Sequence, residues 1–258
     1  SRKDKVFATF LLAANEINRE LINYRQAFDN TMQLLIQFSS VSQDFFTVSK
    51  LNSYSDEDMA IGGYGAATIG RVFDLKKSGG FYYISGQGER SYYKNNLYLF
   101  GQLTGASGFA QSNGIFTFQS FLGLGFYKFS KDLIFATRLQ QQTVWNWYAL
   151  RQLILDNETG LRGYSANKLA GENRIIANME LRFFPDWRVW MFDLSGVAFY
   201  DVGTVWNQDL KLFKAQVYNS VGAGIRIHFT KSANPDHTLR IDFAYNLNEN
   251  KFGGIIFS

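Results

Sequence analysis

Apolar and polar residues alternate along this chain in segment after segment, and only two prolines interrupt its 258 residues. Side chains of an extended strand point to opposite faces with period two. Sustained alternation therefore predicts a β-sheet with two chemically different faces. The cleanest stretch is 172–184. Ile175, Ala177, Met179, Leu181 and Phe183 share one face there, and Arg174, Ile176, Asn178, Glu180 and Arg182 share the other. Residues 219–230 set Val221, Ala223, Ile225, Ile227 and Phe229 against Gly222, Gly224, Arg226, His228 and Thr230. Residues 238–247 set Leu239, Ile241, Phe243 and Tyr245 against Arg240, Asp242 and Asn246. Proline cannot donate to a sheet ladder, so Pro185 and Pro235 are expected outside strand interiors.

Upstream, strands are expected at 5–14, 31–38, 43–52, 59–75, 81–91, 96–109, 115–129 and 132–145. Residues 16–29 would also suit a short amphipathic helix, with Glu16, Arg19 and Glu20 beside Ile17, Leu21 and Ile22. Residues 52–58 read as a polar loop and 76–80 as a turn. A long central loop spans about 146–170, and further strands are expected at 193–206 and 252–258.

Alternation alone also fits a soluble sandwich, with one face in a core and the other in water. Composition separates the two cases. Aromatics make up 17% of the chain, with 25 Phe and 14 Tyr, yet the mean hydropathy is only −0.16. No window approaches 18 uninterrupted apolar residues, which rules out a transmembrane helix. Diluted hydrophobicity with many aromatics is what a transmembrane β-barrel requires, because lipid-facing and lumen-facing residues alternate. The expected strands, about 10–14 residues each, exceed the usual soluble length of about 5–6. Large aromatics cluster at strand ends, as an interfacial girdle would. The expected fold is an all-β, transmembrane antiparallel β-barrel over 1–258, with no separate periplasmic domain.

Cysteine is absent, which excludes disulfides and thiolate metal sites. Two histidines, His228 and His237, make a His-based metal cluster unexpected. A net charge of +4 with a pI of about 9.1 is too mild to argue for nucleic acid. Ser/His/Asp arrangements can be drawn with either histidine, but no G-x-S-x-G elbow accompanies them. Gly62-Gly63-x-Gly65 and Gly101-x-x-x-Gly105 lie in strand-like segments, where glycine marks bends or close backbone approach. Neither enzymatic activity nor a cofactor is expected. The chain begins Ser1-Arg2-Lys3-Asp4 without Met or signal peptide, as a mature protein or a fragment would.

Within the central loop stands Gly160-Leu161-Arg162-Gly163-Tyr164. A buried guanidinium costs much unless it is paired and hydrogen-bonded, and its planar fork matches carboxylates bidentately. If the loop folds into the lumen, the candidate partners on the wall are Glu180 and Asp201. Three other readings stay open. Glu180 could instead serve Arg182, Asp201 could serve any nearby Arg, and Arg162 could be a solvated loop residue with Gly163 a plain turn.

Three segments carry a family resemblance. Leu161-Arg162-Gly163-Tyr164 resembles a [V/L]-R-G-[F/Y] loop motif. Asn178-Met179-Glu180-Leu181 resembles an acidic position on the strand just after that loop. Phe199-Tyr200-Asp201-Val202-Gly203-Thr204-Val205-Trp206 resembles an aromatic-Asp-x-Gly-x-Val-Trp strand. In this order and spacing they resemble the BamA/TamA superfamily of outer-membrane assembly and two-partner secretion barrels. The resemblance implies a sixteen-stranded barrel whose loop, with Arg162, Gly163 and Tyr164, reaches from the cell surface into the lumen and latches to Glu180 and Asp201. It implies five strands after the loop, periplasmic turns at Pro185-Asp186 and Asn234-Pro235-Asp236, and a surface loop at 207–216. Eleven strands would precede the loop, whereas only eight or nine can be placed in about 145 residues. No periplasmic transport-associated domain is visible.

The implied function is insertion, assembly or translocation of other proteins at the outer membrane of a Gram-negative bacterium. The implied partners are outer-membrane lipids and lipopolysaccharide together with client or partner envelope proteins. A short last strand at Phe252-Gly253-Gly254 would pair poorly and could template a client strand. Two other readings are a structural or docking barrel of a larger envelope complex, and a passive porin-like channel.

Overall fold

Each alternating segment folds as a strand, and successive strands hydrogen-bond antiparallel. The structure is a computed structural model that describes residues 4–16, 30–52, 54–75, 79–111, 113–146, 152–229 and 238–257. Ahead of the central loop lie β1 (Lys5–Asn15), β2 (Thr31–Ser49), β3 (Asp56–Asp74), β4 (Gly80–Lys94), β5 (Leu97–Ala110), β6 (Asn113–Lys128) and β7 (Leu133–Trp145). The loop carries its own two-stranded hairpin, β8 (Leu153–Leu155) and β9 (Leu169–Gly171). After it come β10 (Asn173–Phe183), the two-residue β11 (Arg188–Val189), β12 (Phe192–Trp206), β13 (Val217–His228), β14 (Thr238–Asn246) and β15 (Lys251–Phe257).

The protein is all-β. Thirteen strands form one antiparallel sheet in the order β1-β2-β3-β4-β5-β6-β7-β10-β12-β13-β14-β15, with β11 paired to β12. The five strands expected after the loop are present as β10, β12, β13, β14 and the short β15. Among the described residues seven precede it instead of eight or nine, because 31–38 and 43–52 are one strand. Ser39-Ser40-Val41-Ser42 contains no glycine, proline or asparagine to turn the chain, and β2 pairs with β3 without a break from Thr31↔Asp74 to Ser49↔Asp56. Among the described residues β1 pairs only with β2 and β15 only with β14, so the sheet has two open edges.

Connections alternate between two ends of the sheet. The Arg162 loop, the 207–216 connection and the β14–β15 turn share one end. The β2–β3 turn, the β6–β7 turn and the Pro185-Asp186 turn share the other. The β4–β5 connection at this second end is two residues, Asn95 and Asn96, with φ of 51° and 65°. Asparagine tolerates that left-handed backbone, and such a turn matches strand twist. The 207–216 connection holds a single 3-10 turn, Leu212–Lys214. The possible helix at 16–29, apart from Glu16, and Asn234, Pro235 and His237 lie outside the described residues.

The faces are inverted relative to a soluble protein. Among the described residues the buried set holds sixteen polar or charged side chains and fourteen hydrophobic ones. Leu181 and Phe183 of β10, Val221 and Ile225 of β13, and Leu239 and Phe243 of β14 are exposed. The opposite face of the same strands buries Arg174, Asp242 and His228. The central loop packs on this polar face. Two small apolar clusters stand on it. One joins Leu155, Leu161, Tyr164 and Ile176 beneath the loop. The other joins Leu51, Ile134 and Phe184 at the turn end.

Candidate functional site

The loop is shaped first by Asp156, which is buried. Its carboxylate accepts the backbone N–H of Thr159 at 3.1 Å and of Asn167 at 3.0 Å. Its carbonyl accepts the N–H groups of Gly160 and Leu161. Thr159 returns a side-chain bond, its Oγ1 accepting the Asp156 N–H at 2.8 Å. An Asp followed three residues later by Thr closes a tight turn through side-chain-to-backbone bonds. Gly160 at φ +115° and Gly163 at φ +84° then take backbone that side chains rarely adopt. Arg162 is thereby aimed down at the sheet.

There the guanidinium meets three carboxylates from three strands. Nε donates to Asp201 Oδ2 at 2.7 Å and Nη2 to Asp201 Oδ1 at 2.8 Å, a bidentate fork. Nη1 lies 2.9 Å from Glu180 Oε1 and 3.3 Å from Asp242 Oδ2. The backbone N–H of Arg162 also points to Asp201 Oδ2, at 3.3 Å. The guanidinium carbon stacks 3.5 Å over the Phe199 ring. Phe199 has that position because Gly222 lies opposite on β13, where a Cβ would come within 2.4 Å of the ring. Asp201 is fully buried, and Asn178 Nδ2 donates to its Oδ1 at 2.7 Å and to the Gly160 carbonyl at 2.6 Å.

Burial by itself would lower the Arg162 pKa. The hydrogen bonds and charge of Asp201, with Glu180 and Asp242 behind it, outweigh that effect and raise it above the ordinary value. The side chain is a permanent cation held among three carboxyl groups. Breaking such a buried pair from one side typically costs about 3–5 kcal/mol, because the remaining charge stays buried without its partner.

The structure brings Arg162, Glu180 and Asp201 together. It also answers the competing pairing, since Glu180 serves two arginines: Oε1 faces Arg162 and Oε2 accepts from Arg182 at 2.8 Å. Gly163 lies against the wall, where a Cβ on Gly253 would stand 2.5 Å from the Gly163 Cα. Tyr164 donates its hydroxyl to Asn248 Oδ1 at 2.7 Å and accepts the Asn219 N–H at 3.2 Å. Burial pushes its pKa up to about 12.

Several members were missed from sequence. Asp242 was read only as a polar-face residue of β14, yet it faces Arg162 and takes both Arg226 Nη groups. Asp156 had a local signal in Asp156-x-x-Thr159. Arg138, whose Nη1 donates to the Thr159 carbonyl at 3.3 Å, had none.

The turn end has a second cluster. The β2–β3 turn crosses beneath the polar face, burying Leu51. Lys50 Nζ reaches Asp132 at 2.6 Å and Asp186 at 2.9 Å. The Tyr54 hydroxyl lies within 2.5 Å of the Pro185 and Leu194 carbonyl oxygens. His228 is fully buried here, bonded to Ser195 Oγ at 2.8 Å and Thr238 Oγ1 at 3.0 Å. With both ring nitrogens satisfied and the Tyr54 ring edge-on at 5.2 Å, it is a packed histidine. Among the described residues no group of three His, Cys, Asp or Glu is placed to hold a metal ion.

Beside the caged Arg162 a cavity of about 480 Å³ opens between loop and wall, reaching the end of β15 at Ile256 and Phe257. No protein-family model matches the sequence, and no curated protein is significantly similar to it.

Proposed function

We propose that this chain is an outer-membrane β-barrel of the BamA/TamA type that inserts, assembles or translocates other proteins, with the Arg162 loop latched to the lumen wall. One observation carries the reading. A loop from one end of an inside-out sheet folds onto its polar face and places Arg162 among Glu180, Asp201 and Asp242. An exposed apolar face needs lipid, and a buried polar face needs a lumen with internal partners.

Aromatic side chains support the orientation. Tyr92, Tyr93, Tyr127, Phe129, Phe183, Trp187 and Trp190 are exposed near the turn end, at the level where an interfacial belt sits. Ring closure belongs to the same proposal. The family pattern has sixteen strands, and the open edges at β1 and β15 are where a ring would be completed. The mechanism is physical. The unpaired edge of β15 offers backbone donors and acceptors to an incoming strand, while the latch fixes the wall next to it. Outer-membrane lipids and client envelope proteins are the partners in this reading, and the outer membrane of a Gram-negative bacterium is its location.

The test is electrophoresis of the detergent-purified chain with and without boiling, paired with a reconstituted assay of client insertion. A compact band that unfolds on boiling, together with faster client insertion into vesicles, is the expected result. A chain that stays soluble without detergent and shows no band shift overturns the barrel. Heat-modifiable protein with steady ion conductance and no insertion activity would instead assign the passive channel. A heat-modifiable protein inactive alone but co-purifying with fixed partners would assign the docking barrel.

A further inference from the structure

Around the latch, Arg162, Arg182 and Arg226 pair with Glu180, Asp201 and Asp242, and Arg138 bonds neutral oxygens of Thr159, Asn178 and Gln140. Arg240 is left over. Among the described residues its side chain makes no hydrogen bond and no ion pair. Arg240 is exposed, and it faces a like charge. In the β13–β14 register Arg240 stands directly opposite Arg226 on the polar face. Directly opposed residues have Cβ atoms about 4.5–5.5 Å apart, and like charges there destabilise the pair. Both oxygens of Asp242 are engaged by Arg226, so Arg226 cannot release its carboxylate to Arg240 without losing its own partner.

Arg182 completes the group. It is held in place by Glu180 at 2.8 Å, the Leu51 carbonyl at 3.1 Å and Asn52 Oδ1 at 2.6 Å. A small cavity of about 30 Å³ is walled by Arg182, Arg226 and Arg240 against one carboxylate, Glu180. Arg182 and Arg240 also line the 480 Å³ cavity beside the latch, so they stand where the two spaces meet. Other charges at the larger cavity are Arg138, Arg162, Glu158, Glu180 and Asp242.

We propose that Arg182, Arg226 and Arg240 form an oxyanion site on the lumen wall, which takes a phosphate or carboxylate group from the larger cavity. Guanidinium forks bind such groups bidentately. Arg240 is the free fork. Arg182 and Arg226 are pre-positioned by their own partners and supply field without moving. The anion would relieve the Arg226–Arg240 opposition, so binding and stability are linked. The site depends on the polar face and not on client insertion, and it can fail while the assembly reading stands.

The test is thermal unfolding of the full chain in detergent at pH 7.5, titrated with sodium phosphate, sodium succinate or sodium chloride at equal ionic strength. Wild type, Arg240→Gln and Lys211→Gln are compared, the last removing one positive charge from the 207–216 connection. Arg240→Gln breaks no bond in the structure and should fold, which its heat-modifiable band verifies. The expected result is a saturable rise in midpoint with phosphate or succinate beyond chloride in wild type and Lys211→Gln. In Arg240→Gln the apparent affinity should fall at least tenfold. A larger response to one of the two anions assigns the phosphate or carboxylate class. An undiminished response in Arg240→Gln, or no response beyond chloride in wild type, overturns the site.

Discussion

Gly163 of the loop and Gly253 of the last strand meet backbone to backbone. A Cβ on Gly253 would lie 2.5 Å from the Gly163 Cα and 2.7 Å from its carbonyl oxygen. The loop therefore rests on the strand that forms one open edge of the sheet. Gly253→Ala must push the two apart, and overpacking of this kind typically costs about 1–3 kcal/mol. Its expected signature is a lower melting midpoint together with faster proteolysis of the loop. Gly254→Ala is the contrast. Its Cβ would meet nothing within 4 Å, but its φ of +117° makes the variant strained by backbone alone. If Gly253→Ala melts like wild type with an equally protected loop, the contact does not seat the loop.

Arg162→Ala leaves Asp201, fully buried, with Asn178 as its remaining side-chain donor. A loss of about 3–5 kcal/mol is expected for one side of a buried pair. Arg162→Lys keeps the charge but not the fork, so it should fall between wild type and Ala. Urea unfolding of the three proteins, followed by the heat-modifiable band, orders them. Equal midpoints for Ala and wild type would mean that the cage does not hold the loop.

The carboxylates are not equivalent. Asp201 receives the bidentate fork, while Asp242 lies 3.3 Å from Arg162 and mainly serves Arg226. Asp201→Asn should therefore loosen the loop more than Asp242→Asn. A double-mutant cycle with Arg162→Ala reads this directly as coupling energy, with the larger value at Asp201. A larger coupling at Asp242 would reverse the assignment.

Period two made the strands legible, because Ile175 to Phe183 and Arg174 to Arg182 can satisfy opposite environments only in extended chain. It also fixed which face is polar. The break expected between 38 and 43 is absent, because Ser39 to Ser42 keep their cross-strand pairing with Ala66 to Gly63. The latch was partly legible. Arg162, Glu180 and Asp201 stood out because a buried guanidinium needs carboxylates and because the three segments that hold them resemble the loop and strand motifs of one family. Asp242 has the same polar-face parity, but no sequence signal tied β14 to the loop. The Lys50–Asp132–Asp186 cluster joins residues up to 136 positions apart, and periodicity carries no information about such crossings.

The turn-end cluster makes its own pH prediction. Burial opposes the charge on Lys50, but its bonds to Asp132 and Asp186 raise its pKa above 10.5. A raised cation stabilises the fold fully below the unfolded value and loses that contribution as pH rises through the folded one. Asp186 is lowered below 3.8, first by its hydrogen bond from Lys50. Its contribution is present above 3.8 and lost as pH falls through the folded value. Lys50→Met should weaken the alkaline dependence above pH 10.5 and expose the β2–β3 turn to hydrogen exchange. An unchanged alkaline profile would place the effect elsewhere.

At the other end, the loop is tied to the β14–β15 turn by Glu249, which takes Lys168 Nζ at 2.6 Å and also pairs with Lys251. Those two hydrogen bonds hold the Glu249 pKa down at about 2. A depressed carboxylate contributes above its unfolded value, 4.5, and is lost as pH falls through about 2. The tie is exposed, so salt should weaken it. Glu249→Gln is expected to raise protease access to the 156–168 segment at pH 7 and low salt, with little change in the melting midpoint, because Asp201 and Asp156 still hold the loop core. The difference from wild type should shrink at high salt and vanish near pH 2. Protease access that is equal in the two proteins at low salt would show that Glu249 does not restrain the loop.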